Sequence, residues 1–322
     1  HVPYVVLLLK YLEEFRALHG KLPSNYKEKS QLREMLRAGM RSADDENFSE
    51  ADAAVMRSCS EPTIPSQIRD IFQDPSCTQL SIESSNFWII ARAISEFVNA
   101  EGNGLLPLSG TLPDMKSDTQ SYVTLLNLYR GKAQQDIAAV TEHVRRILAD
   151  LQLPQEWVTD SEIAAFCKHA AFVRVLRYQS LSEELQTNPQ TDVLSDGVTD
   201  ADSEVNRYVM FRAAERFYSQ HGRYPGVAAD DDMATVEQDA VLLSETAANF
   251  LVEMGVTAEP VSLGDNAKEW CRYGHAELHN VAALLGGMAS QEVIKLITRQ
   301  YVPLNNTCIY NGIIGATQTF QL

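Results

Sequence analysis

The sequence predicts a mixed, mostly α-helical fold in which a large helical insertion separates two pieces of an α/β lobe. Apolar residues recur with helical periodicity from Val2 to about Arg299. Alternation typical of strands is confined to the C-terminal end, where 307–310 and 317–322 are predicted strands and Asn311-Gly312 is a turn candidate. Because an isolated hairpin leaves unpaired edges, we expect these strands to join a sheet built by upstream sequence.

Composition favours a soluble globular protein and argues against nucleic-acid or membrane partners. The 322 residues suffice for about two domains, and 45 % of them are hydrophobic against 22 % charged, as in ordinary folded chains. The 43 acidic residues outnumber the 27 Lys and Arg residues, so the net charge of -16 repels phosphate backbones and anionic lipids. Five cysteines without a C-x-x-C pair indicate reduced thiols and an intracellular compartment.

The first half of the chain carries several helix signals. The apolar run 2–9 is far shorter than the roughly 20 residues that span a bilayer, and we interpret it as a buried helix with Pro3 in its first turn. Ser84 or Ser85 is expected to cap a helix over 87–98. Asp118 is expected to cap a long amphipathic helix over 122–151, in which Gly131 is a weak point or a bend.

The second half adds a capping box and a short internal similarity. Thr159 and Glu162 have the spacing of a capping box. The segments 15–23 and 217–225 share the order Phe, His, Gly, a cation and Pro, which we interpret as helix-stop chemistry rather than a paired functional site. The acidic segments 42–46, 191–202 and 228–232 are predicted to be exposed loops.

The run GGMASQEVIK, residues 286–295, predicts a buried and tightly packed helix near the C-terminus. Apolar residues recur around it at helical spacing, whereas Gly286 and Gly287 leave the middle of the helix nearly bare. Two successive glycines cost about 1 kcal/mol each against alanine in a helix, so we expect another backbone to approach closely there.

Two candidate chemistries fit the residues poorly. Cys77 lies in the string Asp-Pro-Ser-Cys-Thr, but a nucleophilic cysteine needs a neighbouring base or cation, and the local charges are acidic. Cys271, His275 and His279 have helical spacing, yet structural zinc requires four ligands at tight pair spacings, and Gly274 interrupts the helix. We predict no catalytic residue and no metal ligand in this chain.

The segment 111–127 is a better candidate for a binding surface. Asp114 and Met115 precede a polar stretch and the helix that carries Tyr122. Methionine and tyrosine are favoured at protein interfaces. A loop that packs on its own domain remains the plain alternative.

Several strings together resemble one known family. These are HVPYVVLLLKYLEEF, KLPSNYKEKSQLREML, NFWIIARAISEFVNAEGNGLLPLSGTLPDM, HGRYPGV, EWCRYG, GGMASQEVIK and TFQL. The chain resembles the regulatory subunits of heterodimeric neddylation-activating enzymes, the amyloid precursor protein-binding protein family within the ubiquitin-like-modifier-activating enzymes. The family's glycine-rich nucleotide turn is missing, since no G-x-G-x-x-G or P-loop occurs. The resemblance therefore implies a C-terminal fragment without cofactor-binding residues.

The resemblance also implies a domain plan. Residues 1–18 and 275–322 would be pieces of an adenylation-type (ThiF-like) lobe, and residues 19–274 a helical insertion that corresponds to a catalytic-cysteine domain without its nucleophile. The residues implied to meet the catalytic subunit fall between Asp114 and Asn127.

The resemblance implies a regulatory subunit that is not itself an enzyme. Its expected partners are a catalytic subunit, which would bind ATP and Mg and carry the thioester, and the ubiquitin-like modifier attached to cullins. The expected location is cytoplasmic and nuclear, and the implied interface residues are Asp114, Met115, Ser121, Tyr122 and Asn127. Two alternatives stay open: the N-terminal half of a ubiquitin-type activating enzyme, and an unrelated helical scaffold or adaptor.

Overall fold

Two compact units make up the chain, His1–Val175 and Leu176–Leu322. The computed structural model describes residues 2–42, 44–59, 62–227, 233–274 and 276–322. Across these ranges the chain is mostly helical, as the sequence predicts, with strands only in one C-terminal hairpin. The division at residues 18 and 274 into lobe, insertion and lobe stays a prediction.

The first unit consists of helices around three hydrophobic cores, two of which are larger than the third. Its helices are α1 (Tyr4–His19), α2 (Tyr26–Ala38), α3 (Glu46–Ser58), α4 (Ser66–Gln73), α5 (Pro75–Thr78), α6 (Asn86–Asn99), α7 (Thr119–Asp150) and α8 (Asp160–His169). Phe15, Leu32 and Val55 bring α1, α2 and α3 together in one core. Phe97, Val144 and Ile163 do the same for α6, α7 and α8 in another.

The prediction of a buried helix over 2–9 is correct for one face of α1 and wrong for the other. Pro3 precedes the first turn, and Leu7 and Leu8 are buried against the neighbouring helices. Val6 and Leu9 are exposed, because α2 and α3 cover a single side of α1.

The helix-start signals of the first unit are confirmed. Ser85 is the N-cap residue of α6, although its side chain makes no capping hydrogen bond. The Asp118 carboxylate accepts a hydrogen bond from the Ser121 backbone N–H at 2.8 Å at the start of α7. Thr159 and Glu162 form the complete capping box of α8. Helix α7 continues through Gly131 without interruption.

The second unit packs helices and a hairpin around another core. Its elements are a π-helical turn (Glu183–Thr187), α9 (Thr191–Thr199), α10 (Val205–His221), α11 (Met233–Glu253), α12 (Leu263–Tyr273), α13 (His279–Thr298), β1 (Thr307–Asn311) and β2 (Ala316–Phe320). Phe217, Leu243 and Phe250 are among the buried residues that join α10 to α11.

The predicted loop over 191–202 is wrong, since most of it forms α9. Leu194 and Val198 lie one turn apart and are buried in the core. Gly197 lets the helix approach α10 closely, because an added Cβ would lie 2.5 Å from Val205 Cβ. The predicted loop over 228–232 lies outside the described residues.

The prediction that α13 is buried is wrong for this chain. None of its residues is buried, and nothing lies within 4 Å of a Cβ added at Gly286 or Gly287. Only one narrow stripe is half-buried, along which Glu292 accepts a hydrogen bond from the Leu304 backbone N–H at 2.8 Å. The exposed side carries large apolar residues, because the described chain supplies no surface to cover it. By length and composition alone, α13 is also the one described helix that could cross a membrane.

The C-terminal hairpin forms as predicted. Strands β1 and β2 pair antiparallel with Thr307 opposite Phe320 and Asn311 opposite Ala316, so Gly312 to Gly315 make the turn. Ile309 and Phe320 pack against the helical core of the second unit. Its membership of a larger sheet stays a prediction.

The two similar segments build matching corners at the ends of α1 and α10. In the first, Phe15 and His19 stack with ring centroids 4.2 Å apart and Gly20 has φ +71°. In the second, Phe217 and His221 stack at 4.3 Å and Gly222 has φ +70°. The left-handed conformation at each glycine ends the helix, which confirms the helix-stop interpretation.

The cation after each glycine fastens the corner to the following helix. Lys21 Nζ lies 2.5 Å from Glu28 Oε1, and the other oxygen of Glu28 accepts the Ser24 backbone N–H at 2.8 Å. Arg223 makes the corresponding pair with Asp239, whose carboxylate accepts the Gly226 N–H at 2.8 Å.

Replacing Gly20 with alanine is expected to lower the free energy of unfolding by about 1–2 kcal/mol, because L-residues are strained in the left-handed region. Gly131→Ala serves as the matched control in the same unit. Both sites have free space for a Cβ. Because alanine favours the helix more than glycine does, Gly131→Ala should raise the free energy of unfolding by about 0.5–1 kcal/mol. Urea unfolding followed by circular dichroism measures both, and equal effects would contradict the assignment of Gly20 as a helix stop.

Candidate partner interface

The N-terminal half of α7 projects from the core of the first unit. Helix α7 has 32 residues, and its fully buried positions begin only at Ala133. The preceding part, 119–132, spans about 20 Å at the rise of an α-helix. It nevertheless carries apolar side chains, and Val123 and Leu128 are 41 % and 67 % exposed. An apolar helix surface without a cover is typical of a binding site.

The segment before α7 is held against this helix and against α3. The Leu108 backbone N–H donates to Asp136 Oδ2 at 3.0 Å, and Lys132 Nζ lies 2.6 Å from the other oxygen of that carboxylate. Further along, the Lys116 N–H donates to Glu50 Oε2 at 2.9 Å, and Lys116 Nζ lies 3.3 Å from Glu46. The segment is therefore fixed at both of its ends.

The five sequence-predicted interface residues occupy one stretch but differ in exposure. Asp114 and Asn127 are exposed, and Ser121 and Tyr122 are half-buried in the first turn of α7. Met115 is only 8 % exposed and packs inside its own unit. Asp114 and Asn127 are thus the most accessible of the five, and the assignment of all five to an interface stays a prediction.

Sequence reasoning missed Val123 and Leu128, the most exposed apolar side chains of this half-helix. A signal for them was present, because no acidic residue occurs between Asp118 and Asp136. In a chain with a net charge of -16, this acid-free stretch carries Arg130 and Lys132 instead. The half-helix therefore offers an apolar and weakly basic surface.

The structure gives Cys77 the surroundings of a packing residue. Its side chain is fully buried in a core formed with Ile68, Ile71 and Ala91. Burial raises the pKa of the Cys77 thiol to about 11, so little thiolate exists near neutral pH. This environment favours the structural interpretation of Cys77 over the nucleophilic one.

Cys167 and Cys271 are also buried packing residues, and the candidate metal ligands are not brought together in one helix. Burial raises the pKa of Cys167 and of Cys271 to about 12. Cys271 lies in α12 within the core of the second unit, whereas His279 begins α13 and His275 lies outside the described residues. In the part of the chain that the structure describes, no group of three or more His, Cys, Asp or Glu side chains could hold a metal ion.

Comparison with known proteins gives relatives that match over the whole chain. No protein-family model matches. A protein of Gallus gallus named NEDD8-activating enzyme E1 regulatory subunit is 42 % identical over 330 residues. Its namesake in Danio rerio is 40 % identical over 330 residues, and the regulatory subunit AXL of Arabidopsis thaliana is 37 % identical over 325 residues. All of this chain is covered in each alignment, but it spans only 61 % of each relative.

Native-state alkylation with iodoacetamide at pH 8 is expected to modify Cys59 and Cys308 before Cys77, Cys167 and Cys271. The first two are half-buried and the last three are buried, and thiols that are inaccessible and protonated react slowly. Peptide mass spectrometry measures the order. Early labelling of Cys77 in the folded protein would contradict its assignment as a packing residue.

Loss of the Asp118 cap is expected to loosen the projecting half of α7. The hydrogen bond from the Ser121 N–H lowers the pKa of the Asp118 carboxyl, so its stabilising effect is complete above the unfolded pKa of about 3.9 and is lost as the pH falls through the folded value. Asp118→Ala should speed amide exchange of 119–122 at neutral pH, corrected for intrinsic rates. Asp118→Asn, which keeps an acceptor, should behave like the original residue at neutral pH. Equal exchange in all three proteins would exclude the cap.

Proposed function

The chain is homologous over its whole length to a C-terminal part of the NEDD8-activating enzyme E1 regulatory subunits, and we propose that it acts in such a subunit as a non-catalytic scaffold. The complete subunit would hold a catalytic subunit. That catalytic subunit would use ATP and Mg to adenylate the C-terminal glycine of the modifier and would carry the thioester. The modifier would then pass to cullins, in the cytoplasm and nucleus.

The projecting half of α7 is the observation that supports this function most directly. Over about 20 Å this half-helix packs on its own unit only along one half-buried side, which includes Tyr122, and Val123 and Leu128 are exposed. A separate chain would bury this surface, on which Val123 and Leu128 flank the polar Asn127. Because the half-helix is weakly basic, the partner surface should be apolar with acidic groups near its edge.

The surroundings of Cys77 support a scaffold rather than a catalyst. Thioester formation needs an accessible thiolate, and Cys77 is fully buried with a pKa raised to about 11. The relatives are named regulatory subunits, which agrees with a non-catalytic role. They also do not favour the single-chain activating enzyme or the unrelated helical adaptor.

We further propose that α13 and the β1–β2 hairpin belong to an adenylation-type lobe completed by the part of the relatives that this chain does not span. The uncovered apolar side of α13 supports this, since Leu296 and Ile297 are exposed in the present chain. The glycine pair at 286–287 would then serve a close backbone approach.

A charged residue on the projecting half-helix tests the proposed interface. In the full-length subunit, Val123→Asp with Leu128→Asp should weaken binding of the catalytic subunit by roughly 10-fold to 100-fold or more, because buried apolar contacts would be replaced by unpaired carboxylates. Isothermal titration calorimetry gives the dissociation constant. An ATP-dependent thioester assay should show the same loss at limiting subunit concentration.

Val241→Asp with Val252→Asp is the matched control. Both valines lie on α11 in the second unit and are 60 % and 71 % exposed, so these changes should leave binding unaltered. If the α7 variant binds the catalytic subunit with the same affinity as the control variant, this half-helix is not the interface. Asp114→Ala and Asn127→Ala extend the test to the two accessible sequence-predicted residues.

A further inference from the structure

Two pairs of packed aromatic side chains lie along one side of α10 in the second unit. Phe211 and Tyr218 belong to the helix itself and are 52 % and 47 % exposed. Phe211 packs edge-to-face against Trp270 of α12, with ring centroids 4.6 Å apart. Tyr218 packs against Tyr224, in the corner that follows α10, at 4.7 Å. Each pair therefore joins the surface of α10 to a neighbouring element.

A carboxylate lies between the two pairs. Phe211, Glu215 and Tyr218 share one face of α10, because residues four and seven positions apart lie nearly above one another on a helix. The Glu215 side chain is 64 % exposed, and its Oε2 atom lies 3.1 Å from Arg212. Its other oxygen can accept hydrogen bonds from a ligand. We call the four rings together with Glu215 the aromatic stripe.

The elements that carry the aromatic stripe are fixed to one another. A Cβ added at Gly226 would clash with the Cys271 carbonyl, so the corner lies directly against the backbone of α12. Asp239 of α11 accepts the Gly226 N–H at 2.8 Å. Beneath the stripe, Ala214 and Phe217 are buried in the core of the unit. The rings are thus held in place before a ligand arrives, which reduces the entropy lost on binding.

The carboxylate restricts what can cover the aromatic stripe. A broad apolar surface would remove Glu215 from water without supplying a full set of partners, which is strongly unfavourable. The hydroxyls of Tyr218 and Tyr224 would also need hydrogen-bond partners. The stripe therefore fits a narrow ligand that covers the rings and leaves the carboxylate in contact with water or with a cation.

The spacing of the two aromatic pairs matches a polyproline II helix. Seven residues along α10 correspond to about 10.5 Å, and three residues of polyproline II span about 9.3 Å and complete one turn. Side chains on one face of a β-strand recur at about 6.6 Å and 13 Å, which fits less well. An α-helix would match the spacing, but its diameter of about 10 Å would cover Glu215.

Proline suits both the rings and the cost of binding. Polyproline II segments dock on aromatic surfaces, and they lose little conformational entropy because they are already extended when free. Their carbonyl groups have no internal hydrogen bonds, so tyrosine hydroxyls can donate to them.

We propose that the aromatic stripe binds a proline-rich polypeptide in the polyproline II conformation. Two prolines three residues apart contact the two aromatic pairs, and a lysine or arginine between them pairs with Glu215. The net charge of -16 also attracts a basic ligand over longer distances. The stripe lies in the second unit and shares no residue with the projecting half of α7.

Fluorescence anisotropy with the full-length subunit tests the aromatic pairs. The probe is a labelled synthetic proline-rich peptide with one arginine between two prolines three residues apart. Phe211→Ala with Tyr218→Ala should weaken its binding roughly 10-fold or more. Tyr26→Ala with Phe172→Ala is the matched control, since these rings are 77 % and 75 % exposed in the first unit, and should leave the affinity unchanged. The same peptide with alanine in place of every proline should not bind.

A charge reversal tests the place of the cation and remains decisive if the double variant fails to fold. Glu215→Arg, at an exposed side chain, should weaken binding of the arginine peptide several-fold. A peptide with glutamate in place of that arginine should bind this variant better than it binds the unaltered subunit.

Three results would overturn the proposal. The first is no binding of the proline-rich peptide to the unaltered subunit at millimolar concentration, as expected if another part of the assembly covers the stripe. The second is equal affinity of the stripe variant and the control variant. The third is an unchanged preference between the arginine and glutamate peptides in Glu215→Arg.

Discussion

The position of the candidate interface depends on one buried carboxylate, that of Asp136. A charged group that is 4 % exposed must be paired and hydrogen-bonded to be tolerated. Leu108 supplies a backbone N–H from the preceding segment, and Lys132 supplies an ammonium from the same helix. This pairing holds the loop beside α7 where Gly110 meets Ala133, at 3.0 Å from an added Cβ. From Ala133 onwards α7 contributes buried residues to the core, whereas the part of α7 before Ala133 contributes none.

Features with a local cause could be predicted from the sequence. The Asp118 cap, the Thr159 and Glu162 capping box, and the two His-Gly helix ends each depend on a few neighbouring residues. The predominance of helix and the terminal hairpin follow from periodicities of 3.6 and 2 residues. The stretch that contains the candidate interface could be predicted from its residue types together with the family resemblance, but its most accessible apolar residues were not predicted.

Features with a distant cause could not be predicted. The segment 191–202 looks polar, yet Leu194 and Val198 reach a core made by α10 and α11, and tertiary burial outweighs the local preference for a loop. In α13 the sequence indicates packing, whereas burial depends on a surface that the described chain does not provide. Met115 shows the same limit, because sequence cannot tell which side of a loop faces its own domain.

The matching corners at the ends of α1 and α10 set the direction in which the chain leaves each helix, although the connections that follow differ in length. Stacking of the histidine and the left-handed glycine fix the exit path before either connection begins, and the cation–carboxylate pair then ties the corner to the following helix. After Pro23 the next helix starts at Tyr26, whereas after Pro225 it starts at Met233. The connection beyond each proline can therefore differ in length while the corner that precedes it keeps the same geometry.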